Sequence, residues 1–121
     1  MNDTQSYIID VITLVPNNSI CYIQAPSIEN SGFLSLMQPS SLPHYSQIVL
    51  TLNNKKLLTE LIANENVEEY FQSIEIRYNN KLLFEGYDSM KYGTISKELE
   101  LSTQFKKMYI KEDMCIISED W

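Results

Sequence analysis

Glycine clusters, closely spaced cysteines and paired histidines are all missing from this chain, and their absence argues against several kinds of site. The three glycines are scattered, whereas the phosphate-binding loop and the dinucleotide fingerprint both need clustered glycines. Two cysteines and one histidine without close spacing cannot supply a typical four-ligand zinc site. The acid spacing of an EF-hand and the Gly-x-Ser-x-Gly nucleophile turn are also missing. We therefore expect no metal and no cofactor.

Catalytic side chains are similarly scarce. The single histidine, His44, follows Pro43 in a proline-rich stretch, and any Ser-His-Asp or Cys-His arrangement would have to use it. Glu85 and Asp88 flank Gly86, but a glycosidase-like acid pair usually faces across a cleft from different elements. We predict that the protein is not an enzyme. A deep pocket that holds Glu85 or Asp88 beside a tyrosine would favour a small acid–base enzyme instead.

The chain also has no long apolar run, and its first residues have no basic stretch followed by an apolar block. We accordingly expect no membrane span, no signal peptide and a cytoplasmic location. In that setting a disulfide between the distant Cys21 and Cys115 is improbable, and both are predicted to be buried free thiols.

Lysine and arginine are absent from the first fifty positions, and the formal net charge of the whole chain is −7. The stretch from Leu57 to Ile76 contains five acids and no base. These acids are Glu60, Glu65, Glu68, Glu69 and Glu75. Such a surface repels phosphate backbones and attracts cationic proteins, which disfavours nucleic-acid binding. Solubility alone is the simpler explanation of the same charge.

A chain of 121 residues with 44% hydrophobic content fits one globular domain, which we assign to residues 1–121. The predicted class is α+β, a single compact domain with a mainly antiparallel β-sheet and one or two short helices. The predicted strands are Ser6–Val15, Ile20–Ala25, Gln47–Leu52, Ser73–Arg77, Lys81–Tyr87, Thr94–Leu101 and Met114–Ser118. A further short strand is predicted at Phe33–Met37, within a long surface connection from Pro26 to Ser46.

Two segments show helical patterns. Leu57, Leu58, Leu61 and Ile62 recur at helical spacing, so a helix is predicted from Lys55 to about Asn64, capped by Asn53 or Asn54. A further turn is predicted at "VEEYFQ". A second, short helix is predicted to carry Phe105, Met108 and Tyr109, capped by Ser102 or Thr103.

The clearest hairpin is "SIEIRYNNKLLFEGY". A two-residue Asn79-Asn80 turn in plain register would place Ile76 opposite Leu83 and mix the apolar and polar faces. We therefore predict a three-residue loop, Tyr78-Asn79-Asn80, which aligns the apolar pairs.

Two segments offer contact residues for a partner. "FEGYDSMKYG" places Glu85, Tyr87 and Asp88 at a strand exit, where tyrosine serves an interface or the covering of a core. The end of the chain, "CIISEDW", joins Glu119 and Asp120 to Trp121. An exposed tryptophan among acids suits an interface, whereas one folded over the sheet edge is equally consistent with the pattern.

The stretches "KLLFEGYDSM" and "FKKMYIKEDMCIISEDW" resemble the C-terminal part of small immunity proteins from bacterial contact-dependent inhibition and related polymorphic toxin systems. The shared pattern is a strand that ends in aromatic-acid-Gly-aromatic-Asp, followed by a terminus near Asp-Trp. It covers about the last 40 residues of the chain. Residues 1–70 add only a general likeness in size and acidity.

The resemblance implies a non-enzymatic cytoplasmic protein that binds and neutralises a cognate toxin domain, commonly a cationic nuclease. It implies no particular toxin, because immunity families differ in fold. The oligomeric state also remains open. Our hypothesis is that acids supply much of the binding face. The proposed contact residues are Glu68, Glu69, Glu75, Glu85, Tyr87, Asp88, Glu119, Asp120 and Trp121. The alternative is a small regulatory, adaptor or inhibitor domain that binds a host protein.

Overall fold

The computed structural model describes residues 1–121 and confirms the α+β class. Four α-helices span Asp3–Leu14 (α1), Ser31–Leu36 (α2), Leu52–Asn64 (α3) and Thr103–Phe105 (α4). Seven strands span Ser19–Gln24 (β1), Gln38–Pro39 (β2), Ser46–Leu50 (β3), Ser73–Tyr78 (β4), Lys81–Tyr87 (β5), Tyr92–Ile95 (β6) and Cys115–Ile117 (β7). A 3₁₀ turn covers Val67–Glu69, and α4 continues as a π-helical turn over Lys106–Ile110. The helix content therefore exceeds the one or two short helices predicted.

All seven strands form one sheet, in the order β2-β3-β1-β4-β5-β6-β7. Every neighbouring pair is antiparallel except β6 and β7, which run parallel. The helices pack against one face of this sheet, and 24 buried apolar residues form a single core there. Across the middle strands, Cys21, Ile76 and Phe84 share this covered face. The next residue along each of these strands points to the other face, which no helix covers.

The first predicted strand, Ser6–Val15, is wrong, because residues 6–14 belong to helix α1 and Val15 is its C-cap. Asn2 and Gln5 form a capping box in which each side chain accepts a hydrogen bond from the other residue's backbone N–H, both at 2.8 Å. The apolar residues Tyr7, Ile8, Val11 and Ile12 recur at helical spacing and are buried. Burial of this stripe outweighs the strand preference of the β-branched residues. Strand β1 pairs with β3 and β4.

The connection after β1 was also predicted incorrectly. Phe33–Met37 is not a strand, because Asn30 caps helix α2 by accepting hydrogen bonds from the N–H groups of Gly32 and Phe33.

The predicted helix at Lys55–Asn64 is confirmed. It begins earlier, at Leu52, and its N-cap is Thr51 rather than Asn53 or Asn54.

The hairpin separates an apolar face from a polar one, but its residue pairs differ from those that the predicted loop would give. The predicted three-residue loop is wrong, because Asn79 and Asn80 form a two-residue turn with left-handed φ angles of 50° and 63°. A β-bulge places Leu83 as the extra residue of β5, so that Ile76 lies opposite Phe84 rather than Leu83. The bulge thus keeps Ile76 and Phe84 on one face of the hairpin, although Leu82 lies opposite Arg77 and not opposite an apolar residue.

The C-terminal elements largely follow the prediction. Strand β6 ends at Ile95, so the predicted strand Thr94–Leu101 is too long. Ser102 caps α4 as expected, and β7 falls within the predicted Met114–Ser118. "VEEYFQ" does contain a turn, the 3₁₀ segment.

Both cysteines are buried free thiols, as predicted. Burial raises the pKa of Cys21 from 9.0 to about 12. Because the folded pKa lies above the unfolded one, the native state keeps its proton where the unfolded state loses it. The stabilising contribution is complete below about pH 9 and is lost as the pH rises toward 12.

We expect the free energy of unfolding to fall by up to about 1.4 kcal/mol per pH unit for this thiol between those two values. Urea denaturation in reducing buffer, at several pH values from neutral to alkaline, measures the slope. A Cys21→Ala variant should show a visibly shallower slope. An identical slope in both proteins would assign the alkaline sensitivity to other groups, such as the buried Tyr7, whose pKa burial also raises.

Candidate protein-binding face

The uncovered side of the sheet, which we call the open face, carries polar, aromatic and charged side chains. Its members share the strand register that directs them away from the helices. They include Tyr22, Gln47, Glu75, Arg77, Glu85, Tyr87, Tyr92, Thr94 and Ile116. All of them are half-buried or exposed. The face is thus formed by alternate residues of strands whose other residues build the core.

Two carboxylates lie opposite each other at the centre of the open face. Glu75 of β4 pairs with Glu85 of β5, with Tyr22 and Thr94 on the flanking strands. Arg77 pairs with Glu75 alone, at 2.6 Å from its Nε to Glu75 Oε2, and this hydrogen bond is the main reason that the pKa of Arg77 is raised. Glu85 has no basic partner within 4.0 Å. The centre of the face therefore keeps an uncompensated negative charge.

Exposed aromatic and apolar groups extend the open face on the β5–β6–β7 side. Tyr87 and Tyr92 lie opposite each other and are 44% and 48% exposed. Ile116 of β7 is 57% exposed and neighbours Thr94. Tyrosine offers a large contact area with a polar tip, so this arrangement suits a protein interface.

The turn between β5 and β6 holds these two tyrosines in place. Asp88, Ser89 and Met90 all adopt left-handed φ angles, of 56°, 57° and 64°. The turn is fixed because Met90 is fully buried and the Ser89 N–H donates to Gln72 O at 3.1 Å. Such backbone conformations are costly without glycine and persist where packing enforces them. "FEGYDSMKYG" is thus a strained turn with a rigid base.

Gly86 serves this turn through its small size. Neither it nor Gly93 has a positive φ. A Cβ on Gly86 would lie 2.3 Å from Met90 Cε, so the missing side chain makes room for the methionine. Gly86 is therefore needed for packing and not for a left-handed backbone conformation.

The residues predicted to bind a partner fall into three places. Glu75, Glu85 and Tyr87 lie together on the open face, and Asp88 adjoins Tyr87. Glu68 and Glu69 are exposed on the 3₁₀ turn that precedes β4, at the same end of the sheet as Asp88. Glu119, Asp120 and Trp121 lie at the other end, beyond β6. Their contact roles remain predictions.

The C-terminus is tied to the sheet rather than free. The Lys97 N–H donates to Trp121 O at 2.8 Å, and Lys97 Nζ donates to Glu119 O at 3.0 Å. Ser118 Oγ accepts from the N–H groups of Asp120 and Trp121. Trp121 is half-buried, so its side chain is neither fully exposed nor fully covered by the sheet edge.

Sequence reasoning missed Tyr22, Arg77, Tyr92 and Ile116 as members of the open face. The alternation of side chains along each strand shows which residues of that strand share a side. It shows which residues of different strands share a face only once the strand order is known. Tyr22, for example, meets Glu75 because β1 pairs with β4, a neighbour fifty residues away in sequence.

The five main clefts of the molecule are lined by other residues. The two largest, of about 420 and 700 Å³, lie between α2 and α3 and beside the π-helical turn. Neither they nor three smaller ones are lined by His44, Glu85 or Asp88. No group of three or more His, Cys, Asp or Glu side chains is arranged to hold a metal ion.

In comparisons with known proteins, no family model, no curated protein and no solved structure matches this chain. None of its helices combines the length and apolar character needed to cross a membrane.

Proposed function

We propose that the protein is a non-enzymatic immunity protein that binds and neutralises a cognate toxin domain of basic charge. The observation that carries this proposal is the open face, which combines opposed glutamates with exposed tyrosines. Its features match those of a protein-binding surface with a cationic partner. The C-terminal resemblance to immunity proteins points in the same direction.

In this proposal the open face replaces nucleic-acid phosphates as the partner of a cationic toxin. The net charge of −7 speeds the encounter at low ionic strength. The Glu75–Glu85 pair and the two tyrosines then supply the contacts that retain the complex. Binding takes place in the cytoplasm and requires no cofactor, metal, nucleic acid or membrane.

The test is capture of partners by the tagged protein from cells of its source, at low and moderate salt, with mass spectrometry of the bound proteins. We expect one stoichiometric basic protein, encoded by the adjacent gene, whose capture weakens as salt rises. The captured domain, purified, should lose its toxic activity when this protein is added.

A host protein captured in its place would indicate the alternative function, a small regulatory or adaptor domain. Capture that is unaffected by salt, or no stoichiometric partner at all, would contradict binding through charge complementarity.

A further inference from the structure

A second surface lies between α2 and α3, on the side of the molecule opposite the open face. The cleft there has a volume of about 420 Å³, within the usual size range of ligand pockets. We call it the α2–α3 cleft. Its apolar lining comes from Leu36, Leu57 and Leu61, and its acidic lining from Glu60 and Glu65.

The apolar part of the cleft is preserved by a glycine and open to solvent. A Cβ on Gly32 would lie 2.6 Å from Leu61 Cδ2, so a larger residue there would push against the cleft lining. Leu57 is 42% exposed, whereas Leu58 and Ile62 on the packed side of α3 are fully buried. The leucines therefore offer apolar area that this chain itself does not cover.

The polar part of the cleft is acidic and uncompensated. Glu65 Oε1 accepts a hydrogen bond from Asn30 Nδ2 at 2.8 Å, which holds the carboxylate at the edge of the cleft. Neither Glu60 nor Glu65 has a basic partner within 4.0 Å, and no lysine or arginine lines the cleft. An occupant with a positive charge beside an aliphatic group would complement both parts.

We propose that the α2–α3 cleft binds a peptide segment that carries a lysine or arginine beside a leucine-sized side chain. The aliphatic groups pack on Leu57 and Leu61, and the cationic head pairs with Glu60 and Glu65. Because Leu57, Leu61 and Asn64 of its lining follow one another by about one turn along α3, the cleft fits a segment that lies along this helix. The site goes beyond the proposed function, since it faces away from the open face and can be occupied separately.

The test uses a short synthetic peptide of leucine and lysine in a helical pattern, with binding measured by calorimetry. Leu57→Ser should weaken binding about tenfold by removing the apolar contact. Glu60→Gln, which keeps the shape of the side chain, should weaken it severalfold. Leu34→Ser is the matched control, because Leu34 is 49% exposed on α2 but does not line the cleft.

Four results would each overturn the proposal. The first is an equal loss with Leu57→Ser and Leu34→Ser, and the second is no loss with either Leu57→Ser or Glu60→Gln. The third is equal binding of a serine-lysine peptide of the same charge, since only the overall acidity would then matter. The fourth is full displacement by a free aliphatic diamine. Circular dichroism checks that each variant is folded. None of these results affects the test of partner capture through the open face.

Discussion

The double variant Glu75→Lys, Glu85→Lys is expected to lower the affinity for the basic partner at least about a hundredfold at low salt. These two residues face each other at the centre of the open face, and only Glu75 has a basic neighbour. Two lysines beside Arg77 would convert a net negative cluster into a positive one. A cationic partner would then meet like charges, which cost several kcal/mol when they are brought together at an interface.

A matched control separates this local effect from the loss of overall charge. Glu100→Lys, Glu112→Lys makes the same change in net charge at two exposed positions outside the open face. It should reduce affinity only a few-fold, mainly through slower association. Surface plasmon resonance at several salt concentrations measures both rates. Equal losses from the two double variants would show that the open face is not the binding surface.

Gly93→Ala is expected to destabilise the fold by about 3 kcal/mol, because the added methyl has no space. Its Cβ would lie 2.3 Å from the hydroxyl oxygen of Tyr7, and 2.9 Å from both Glu85 O and Phe84 Cε1. Tyr7 cannot move aside easily, since it is fully buried and packs on the rings of Phe84 and Tyr109. Urea denaturation of the variant and the wild type measures the loss.

A second substitution, at Tyr7, tests whether the clash with its hydroxyl group causes the loss of stability. The buried Tyr7 hydroxyl makes no hydrogen bond of good geometry, and its neighbour is the weakly polar thiol of Cys115, so Tyr7→Phe alone should change stability little. In combination, Tyr7→Phe should recover part of the loss caused by Gly93→Ala, because it removes the atom nearest the new methyl. Gly86→Ala should cost less, since its Cβ meets the flexible end of Met90. Strict additivity of the two substitutions would contradict the proposed steric clash.

Composition and alternation were sufficient to predict the α+β class and most strand positions, but not the first helix. Residues 6–15 contain enough isoleucine and valine to suggest a strand, and only the Asn2–Gln5 capping box marks a helix start. The competing signal is the helical spacing of Tyr7, Ile8, Val11 and Ile12, which are all buried. Tertiary burial of that stripe decides the outcome.

The open face shows a different limit of sequence reasoning. Glu75, Glu85 and Tyr87 were selected for charge and residue type, and the sheet register does place them together. Tyr22 and Ile116 could not be selected, because they join the face only through the pairing of β1 with β4 and of β6 with β7. The parallel β6–β7 pair in particular depends on a crossover through α4 that strand patterns do not reveal.

The central claim is that a basic partner covers the open face, and hydroxyl-radical footprinting of the complex tests it most directly. Tyr87, Tyr92 and Ile116 are exposed in the free protein, so their oxidation rates can be compared with and without the captured partner. The account predicts strong protection of all three, with Leu34 on the helical side unchanged. Unchanged oxidation of both tyrosines, with protection confined to the helical side, would contradict it.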